Sequence, residues 1–189
     1  MTSVVILYYS GYGHTKKQAE AVLEGVDQVS DVQSKIIAIN DDGDIGDDDW
    51  KAMEEADAIL FGSPTYMGGP AWQFKKIADA SSKPWFELKW KDKIAGGFTN
   101  SASINGDKFN TVLYFFTLAM QHGMIWIGTG MLPSNKKEHG RNAPNWLAGF
   151  SGAFAQSPAD ASPEEAPPPG DLETAKAYGR RVAEYAKKR

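Results

Sequence analysis

The chain of 189 residues contains no cysteine, and its three histidines, His14, His122 and His139, are widely separated along the sequence. The absence of cysteine excludes disulfide frameworks, thiolate metal sites and cysteine nucleophiles. Because the histidines are scattered as well, no ligand set for a metal ion is recognisable, and we expect no metal. A chain without cysteine is compatible with a reducing compartment such as the cytoplasm.

Excess positive charge and long apolar runs are also missing. Twenty Lys and Arg residues oppose 24 Asp and Glu residues, which gives a formal net charge of −4. Such a chain has no general attraction to nucleic acid or to an anionic membrane surface. Residues 1–10 carry no basic leader, and no stretch reaches the roughly 20 apolar residues that span a bilayer. We therefore predict a cytoplasmic protein with no nucleic-acid partner and no membrane association.

The composition that is present is typical of a folded domain. Hydrophobic residues make up 42% of the chain and aromatic residues 12%, against 23% charged residues, which excludes disordered and fibrous chains. Compact domains usually contain about 100 to 200 residues. We therefore expect a single domain over residues 1–189.

Short apolar segments alternate with helical patterns along the chain. Ser3–Tyr9 is a continuous apolar and β-branched run, typical of a strand that is buried on both faces. From Thr15 onward, apolar residues recur three and four positions apart, as they do on one face of a helix. Similar patterns predict strands at 32–39, 58–61, 94–99 and 124–129 and helices at 50–55, 72–80, 108–121 and 171–187. This order predicts an α/β fold with a parallel sheet that helices cover on both faces.

Two segments have an unusual composition. Residues 41–49 contain six aspartates, but they do not keep the register of an EF-hand calcium loop, which needs acids at alternating positions, a Gly at the sixth position and a Glu at the twelfth. We expect a solvated loop in which Asp49 or a neighbour caps the following helix. Half of the ten prolines lie in residues 157–170, which we expect to lie extended over the surface.

The loop Ser10–Thr15, with the sequence SGYGHT, follows the first strand and opens the first helix. Its glycines allow the backbone to approach an anion closely, and its hydroxyls and the N–H groups of the helix N-terminus are donors. The dinucleotide-binding fingerprint is incomplete because Lys16 replaces the third glycine, and no P-loop sequence occurs. The loop predicts a site for a terminal monophosphate, with a glycine turn that binds no ligand as the alternative.

Two further loops follow the third and fourth predicted strands. Residues 63–70 (SPTYMGGP) offer a rigid backbone and a flat aromatic ring, and residues 99–103 (TNSAS) offer small polar groups. Because ligands of open parallel sheets bind beyond the carboxyl ends of the strands, we expect the three loops to surround one crevice. Hydroxyls and backbone N–H groups there suit the polar edge of a planar ring, whose faces apolar side chains would cover.

These motifs resemble those of the flavodoxin superfamily, and within it the WrbA-type NAD(P)H:quinone oxidoreductases and the related flavodoxin-family FMN reductases. The resemblance rests on YYSGYGH at 8–14, FGSPTYMG at 61–68, Trp85, and HGM at 122–124, and it covers roughly residues 4–128. It implies a flavodoxin-like three-layer sandwich with a five-stranded parallel sheet of order 2-1-3-4-5, and it implies bound FMN. One departure is Tyr66, which stands where many members of the family have Arg.

The resemblance also implies roles for individual residues. His122 resembles a catalytic histidine near the exposed flavin face, and Trp85 resembles an aromatic substrate contact that is often contributed across a subunit boundary, so a homodimer or homotetramer is implied. Their alternatives are a helix-terminal histidine paired with backbone and a core tryptophan. The implied FMN contacts are Ser10, Tyr12, Gly13, His14 and Thr15 at the phosphate, Pro64, Thr65, Tyr66, Met67 and Gly68 along the ring, and Thr99, Asn100 and Ser101 at its polar edge.

We therefore expect a two-electron transfer from NADH or NADPH to a quinone or a similar small acceptor, with ping-pong kinetics because both substrates would share one pocket. The FMN ring would carry the redox chemistry, and His122 would stabilise developing negative charge. The alternative is a one-electron carrier of the flavodoxin kind that docks on redox partners. Flavodoxins favour Ser or Thr where Tyr12 stands, which favours the oxidoreductase. A module that kept the fold without the flavin is a third hypothesis.

Overall fold

Strands and helices alternate along the chain in a computed structural model that describes residues 1–189. None of the helices is both long enough and apolar enough to cross a membrane. The strands are β1 (Thr2–Tyr8), β2 (Val32–Ala38), β3 (Ala58–Tyr66), β4 (Gly69–Pro70), β5 (Ile94–Ser101), β6 (Ile125–Trp126) and β7 (Ala153–Gln156). The helices are α1 (His14–Asp27), α2 (Asp47–Glu55), α3 (Trp72–Ala80), α4 (Ser82–Phe86), α5 (Lys108–Gln121) and α6 (Pro169–Lys187).

The central sheet is parallel and has the order β2-β1-β3-β5-β6, which confirms the predicted order, with β5 and β6 as the fourth and fifth strands. The fifth position is shared by two segments. β6 pairs with the start of β5, where Ile94 lies opposite Ile125, and β7 pairs with its end, where Phe98 lies opposite Ala153. The chain leaves the sheet between these segments. β7 was not predicted from the sequence.

Successive residues of each central strand enter different cores, because side chains alternate between the two faces of a strand. Val5 and Leu7 of β1 belong to a core that α2, α3 and α5 cover, with Phe74 and Phe115 among its large members. Val4 and Ile6 of β1 belong to the opposite core, which α1 and α6 cover through residues such as Val22, Tyr178 and Val182. Both faces of the sheet are therefore buried, as the continuous apolar run of β1 predicts.

The two helices on that second face, α1 and α6, approach each other closely through glycines. A side-chain Cβ at Gly25 of α1 would overlap the carbonyl oxygen of Lys176, and a Cβ at Gly179 of α6 would overlap the carbonyl oxygen of Val22. The two contacts are reciprocal, each glycine lying against the backbone of the other helix. The position of α1 in the molecule therefore depends on α6.

The acidic stretch forms the loop before α2 and the first turn of that helix. α2 begins at Asp47, earlier than the predicted Trp50, and the Asp49 carboxylate accepts a hydrogen bond from the Gly46 amide at 3.3 Å. Acidic residues in a first turn are stabilised by the positive end of the helix dipole. Lys76 of α3 contacts Asp44 at 2.9 Å and so holds the loop against the sheet's carboxyl edge.

Replacing Gly179 with alanine should destabilise the fold, because the new methyl group forces α1 and α6 apart. We expect Gly179→Ala to lower the free energy of unfolding by about 1–3 kcal/mol, although alanine normally favours a helix interior over glycine by about 1 kcal/mol. Urea denaturation measures the change. Gly140→Ala is the control, since a Cβ at Gly140 meets no atom within 4 Å. Equal losses in the two variants would contradict the close helix contact.

Candidate functional site

A cavity of about 500 Å³ opens at the carboxyl edge of the sheet, where the loops after β1, β3 and β5 meet. Each of the three predicted loops contributes to its wall, and the segment after β7 contributes a fourth part. The lining residues are Ser10, Tyr12, His14, Thr15, Pro64, Thr65, Tyr66, Asn100, Ser101, Ala102, Ser157, Pro158, Ala159 and Ala161.

One end of the cavity is the N-terminus of α1. Gly13 precedes the helix with a φ of 87°, a left-handed conformation that glycine adopts without strain. The Ser10 hydroxyl accepts a hydrogen bond from the Lys16 amide at 3.1 Å, so that donor is already satisfied. The amides of His14 and Thr15 have no carbonyl partner within the helix, since the first N–H groups of any helix lack one. Free N–H groups and the helix dipole together suit a phosphate group.

Two tyrosines stand at the mouth of the cavity. The rings of Tyr12 and Tyr66 meet edge to face, with 6.2 Å between their centroids. Burial raises the pKa of Tyr66 to about 12, so its hydroxyl is protonated at neutral pH. That hydroxyl lies 2.8 Å from the position of a Cβ at Gly11, so a larger residue at position 11 would displace the Tyr66 side chain from this contact between the first and second loops. Tyr12 is 76% exposed, which leaves an aromatic surface at the mouth.

A chain of buried threonine hydroxyls fixes the second loop against the third. Thr99 Oγ1 donates to the Ser63 carbonyl at 2.7 Å, and Thr65 Oγ1 lies 2.8 Å from both Thr99 Oγ1 and Thr111 Oγ1. Each hydroxyl has one hydrogen, and Thr99 uses its own for the Ser63 carbonyl, so Thr65 must donate to Thr99. Thr65 then has no hydrogen left for Thr111, so Thr111 donates to Thr65. Both hydrogen bonds of the Thr99 hydroxyl are thus made within the protein, and Thr99 is not among the residues that line the cavity.

The tip of the second loop is exposed to solvent and does not line the cavity. Met67 is fully exposed, and both Met67 and Gly68 have positive φ angles, 48° and 79°, where β3 turns back into β4. Asn110 of α5 donates to the Gly68 carbonyl at 2.6 Å and holds this turn. The structure therefore brings Pro64, Thr65 and Tyr66 to the cavity but not Met67 or Gly68.

The third loop is held from behind by a buried lysine. Lys108, at the start of α5, donates to the carbonyls of Ser103, Ile104 and Asn105. Burial lowers the pKa of this ammonium to about 8. The hydrogen bonds to three carbonyl oxygens compensate in part for the free energy that is lost when the ammonium is removed from water. The result is a fixed course for the loop that presents Asn100 and Ser101 to the cavity.

Sequence reasoning missed the fourth part of the wall, which comes from the proline-rich segment. Ser157, Pro158, Ala159 and Ala161 line the cavity instead of lying over an open surface. The segment follows β7, and the position of β7 beside the end of β5 carries it to the cavity. Recognition of β7 in the sequence would have given the signal, but its four residues, AFAQ, are too short for a clear pattern.

His122, the histidine that the resemblance places near the flavin face, lies at the opposite edge of the sheet from this chain's own cavity. It follows α5, and the next residue, Gly123, accepts a hydrogen bond from the Asp92 amide at the entrance to β5. The eight residues of β5 separate this edge from the cavity by about 23 Å. His122 of this chain therefore cannot contact a ligand in the chain's own cavity.

The surroundings of His122 are those of a structural residue. Its side chain is 3% exposed, and its ring stacks on Trp90 with 4.1 Å between centroids. Ser81 Oγ donates to the Ala78 carbonyl, so His122 Nε2, 2.9 Å away, must donate to Ser81. His122 Nδ1 has no partner. Burial lowers the pKa of His122 to about 4, so the ring is neutral at physiological pH.

Trp85 lies at the same remote edge. Its indole Nε1 donates to the Gln121 carbonyl at 2.9 Å, at the end of α5. The side chain is 44% exposed and so is not the core tryptophan of the alternative hypothesis. It cannot reach the cavity of its own chain either. No group of three or more His, Cys, Asp or Glu side chains lies in a position to hold a metal ion.

Comparison with protein families matches residues 11–139 to the model described as NADPH-dependent FMN reductase. The match includes the second and third predicted loops and all of the first loop except Ser10. Flavodoxin FldP of Pseudomonas aeruginosa is 48% identical over 183 residues, which are 97% of this chain and 96% of that protein. An NAD(P)H dehydrogenase (quinone) of Geobacter sulfurreducens is 33% identical, with 98% of each chain covered.

Comparison with solved structures gives a similar result. The crystal structure of a flavodoxin, WrbA-like protein from Agrobacterium tumefaciens aligns with a TM-score of 0.80 and 47% identity. The alignment covers 100% of this chain and 99% of that chain. The likeness therefore extends beyond the family match to β7, the proline-rich segment and α6.

The buried His122 should make stability depend on pH. Below pH 6.5, His122 is protonated in the unfolded chain but stays neutral in the folded protein. The free energy of unfolding should therefore fall as the pH drops from 6.5 towards 4. We expect His122→Gln to reduce this fall by roughly 1 kcal/mol per pH unit. Urea denaturation of both proteins at pH 7, 6 and 5 measures the difference. If the free energy of unfolding fell equally with pH in the two proteins, the lowered pKa of His122 would be contradicted.

Proposed function

Because this chain belongs to the family of NADPH-dependent FMN reductases, with the flavodoxin-like fold of its WrbA-type members, we propose that it transfers two electrons from NAD(P)H to a quinone-like acceptor. The observation that carries the proposal is the cavity at the carboxyl edge of the sheet, with a helix N-terminus at one end and polar loops along its wall. Its volume of about 500 Å³ lies in the range of small-molecule sites.

The residues present fit FMN. The amides of His14 and Thr15 and the backbone around Gly13 would hold the phosphate at the start of α1. The ring would lie towards the second and third loops, with Tyr66 at its face and Asn100 and Ser101 at its polar edge. FMN bound there would supply a ring that takes two electrons from NAD(P)H and gives them to the acceptor.

The mouth between Tyr12 and Tyr66 would serve both substrates. The exposed ring of Tyr12 suits the stacking of a nicotinamide and equally of a quinone. The buried hydroxyl network of Thr65 and Thr99 keeps the wall rigid while these substrates exchange. Because one mouth cannot hold donor and acceptor together, the oxidised nicotinamide must leave before the quinone binds.

This order of events predicts ping-pong kinetics. Initial rates of the FMN-loaded protein, measured over a grid of NADH or NADPH and benzoquinone concentrations, should give parallel lines in double-reciprocal plots. Protein freed of FMN should show no turnover until FMN is restored. Intersecting lines would mean that both substrates bind at once and would contradict the single shared mouth.

Two observations favour a second candidate function, a one-electron carrier. The relative that is 48% identical is named a flavodoxin, and the acidic loop from Asp41 to Asp49 lies beside the cavity, where a basic redox partner would dock. Such a carrier would show no steady oxidation of NADH or NADPH with benzoquinone. After chemical reduction it would still reduce a protein acceptor such as cytochrome c, which separates the two candidates.

We further propose that a second copy of the chain covers the outer face of α5. Phe109, Leu113, Phe116 and Met120 recur at helical spacing and are 38–54% exposed. The face carries no charge, because the helix's one charged residue, Lys108, is buried. An uncharged apolar face suits its own copy in a two-fold pairing. Only in such an assembly would Trp85, beside the end of α5, contact a substrate in a cavity.

A charge on this face should dissociate the assembly. We expect the wild-type protein to sediment as a dimer or tetramer and Leu113→Glu to sediment as a monomer, because a carboxylate cannot be buried unpaired in an apolar interface. Gln33→Glu, on the exposed edge strand β2, adds the same charge elsewhere and should leave the assembly intact. A wild-type protein that sediments as a monomer would contradict the proposal, as would an unchanged Leu113→Glu variant.

A further inference from the structure

The segment Ser157–Pro163, here called the strap, crosses the cavity from the third loop to the first. It begins directly after β7 and returns to the fold at α6. It lies outside residues 11–139, the part of the chain that the family model matches. The family match therefore assigns it no role.

The strap is attached at its start to the third loop. Ser157 Oγ donates to Asn100 Oδ1 at 3.0 Å, and the Ser157 amide donates to the Ser101 carbonyl at 3.1 Å. Ser157 is 2% exposed, so both bonds are protected from water. This attachment continues the pairing of β7 with β5.

The strap is attached at its other end to the first loop. His14 Nε2 lies 2.9 Å from the Ala161 carbonyl oxygen, and since a carbonyl only accepts, Nε2 carries the hydrogen. A Cβ at Gly13 would lie 2.6 Å from Pro163 Cγ, so the strap rests on the backbone that opens α1. Between the two attachments, Pro158, Ala159 and Ala161 face the cavity.

We infer that the strap is a latch over the phosphate end of the FMN cavity, and that the His14 side chain fastens this latch as a positioning residue. The imidazole Nε2 is engaged by the strap, so the anion-binding donors at this end are the backbone amides. A latch that must open for FMN to enter or leave retains the flavin through turnover as a prosthetic group. This inference rests on the proposed FMN site.

A latch has a kinetic signature that a phosphate ligand lacks. Opening limits both entry and exit, so weakening the latch raises the association rate and the dissociation rate of FMN together. Loss of a direct contact with the phosphate raises the dissociation rate alone. Loss of that contact would also lower the affinity for FMN and leave the affinity for riboflavin, which has no phosphate, unchanged.

The experiment measures binding and release of FMN by stopped-flow fluorescence. We expect His14→Ala to raise both rates about fivefold, the usual effect of one lost hydrogen bond. His14→Gln, whose amide can donate to the same carbonyl, should restore most of the wild-type rates. Ser157→Ala weakens the other attachment and should also raise both rates. Glu164→Gln, an exposed isosteric change beside the strap, is the control and should change neither.

Hydrogen–deuterium exchange of the flavin-free proteins gives a second readout. The Ala161 amide donates to the Pro158 carbonyl within the strap, and the Glu165 amide, just beyond the strap, donates to the Ser162 carbonyl. Both amides should exchange faster in His14→Ala than in the wild type. An unchanged association rate with unchanged exchange would overturn the latch. Wild-type protein that binds no FMN would overturn the proposed function instead, and the exchange measurement would still test the strap.

Discussion

The divergence of the chain after β1 and β3 is the constraint on which the rest of the molecule depends. After β1 the chain turns to α1 on one face of the sheet, and after β3 it turns to α3 on the other. The chain thus leaves the carboxyl ends of these two neighbouring strands in opposite directions, so a crevice must form between them. The cavity is thus a consequence of the strand order, and the loops determine only what it accepts.

The exact place of the phosphate end depends on a helix that has no part in the cavity. α6 fixes α1 through the reciprocal contacts of Gly25 and Gly179, and it is itself anchored to the sheet by Tyr178, whose hydroxyl donates to the Ile127 carbonyl and accepts from the Gly97 amide. A shift of α6 would therefore move the amides that open α1. Much of the chain that follows β6 acts as support for a site formed near the start of the sequence.

The predictable features are those encoded by neighbouring residues. The apolar run at the start of the chain, the glycine loop Ser10–Thr15 and the helix Lys108–Gln121 each carry their own signal, and the structure contains all three. Four-residue β7 is a strand only because the end of β5 offers it hydrogen bonds, and the strap reaches the cavity only because β7 is there. The place of His122 in the fold follows from the direction of α5: this helix begins after the carboxyl end of β5 and runs back to the opposite edge of the sheet, so the residue that follows it lies there.

The lining of the cavity contains no lysine and no arginine, although the proposed ligand carries a phosphate. Anion binding must then depend on backbone amides, hydroxyls and the dipole of α1, which are neutral groups that act over short distances. Such donors are effective only when their positions are fixed, whereas a lysine on a flexible stem tolerates displacement. This requirement accounts for the many attachments around the cavity: the threonine network, the Lys108 ammonium behind the third loop and the strap held by His14. It also explains how an anion site can lie beside an acidic loop, since Lys76 and Lys35 hold two of its carboxylates in ion pairs.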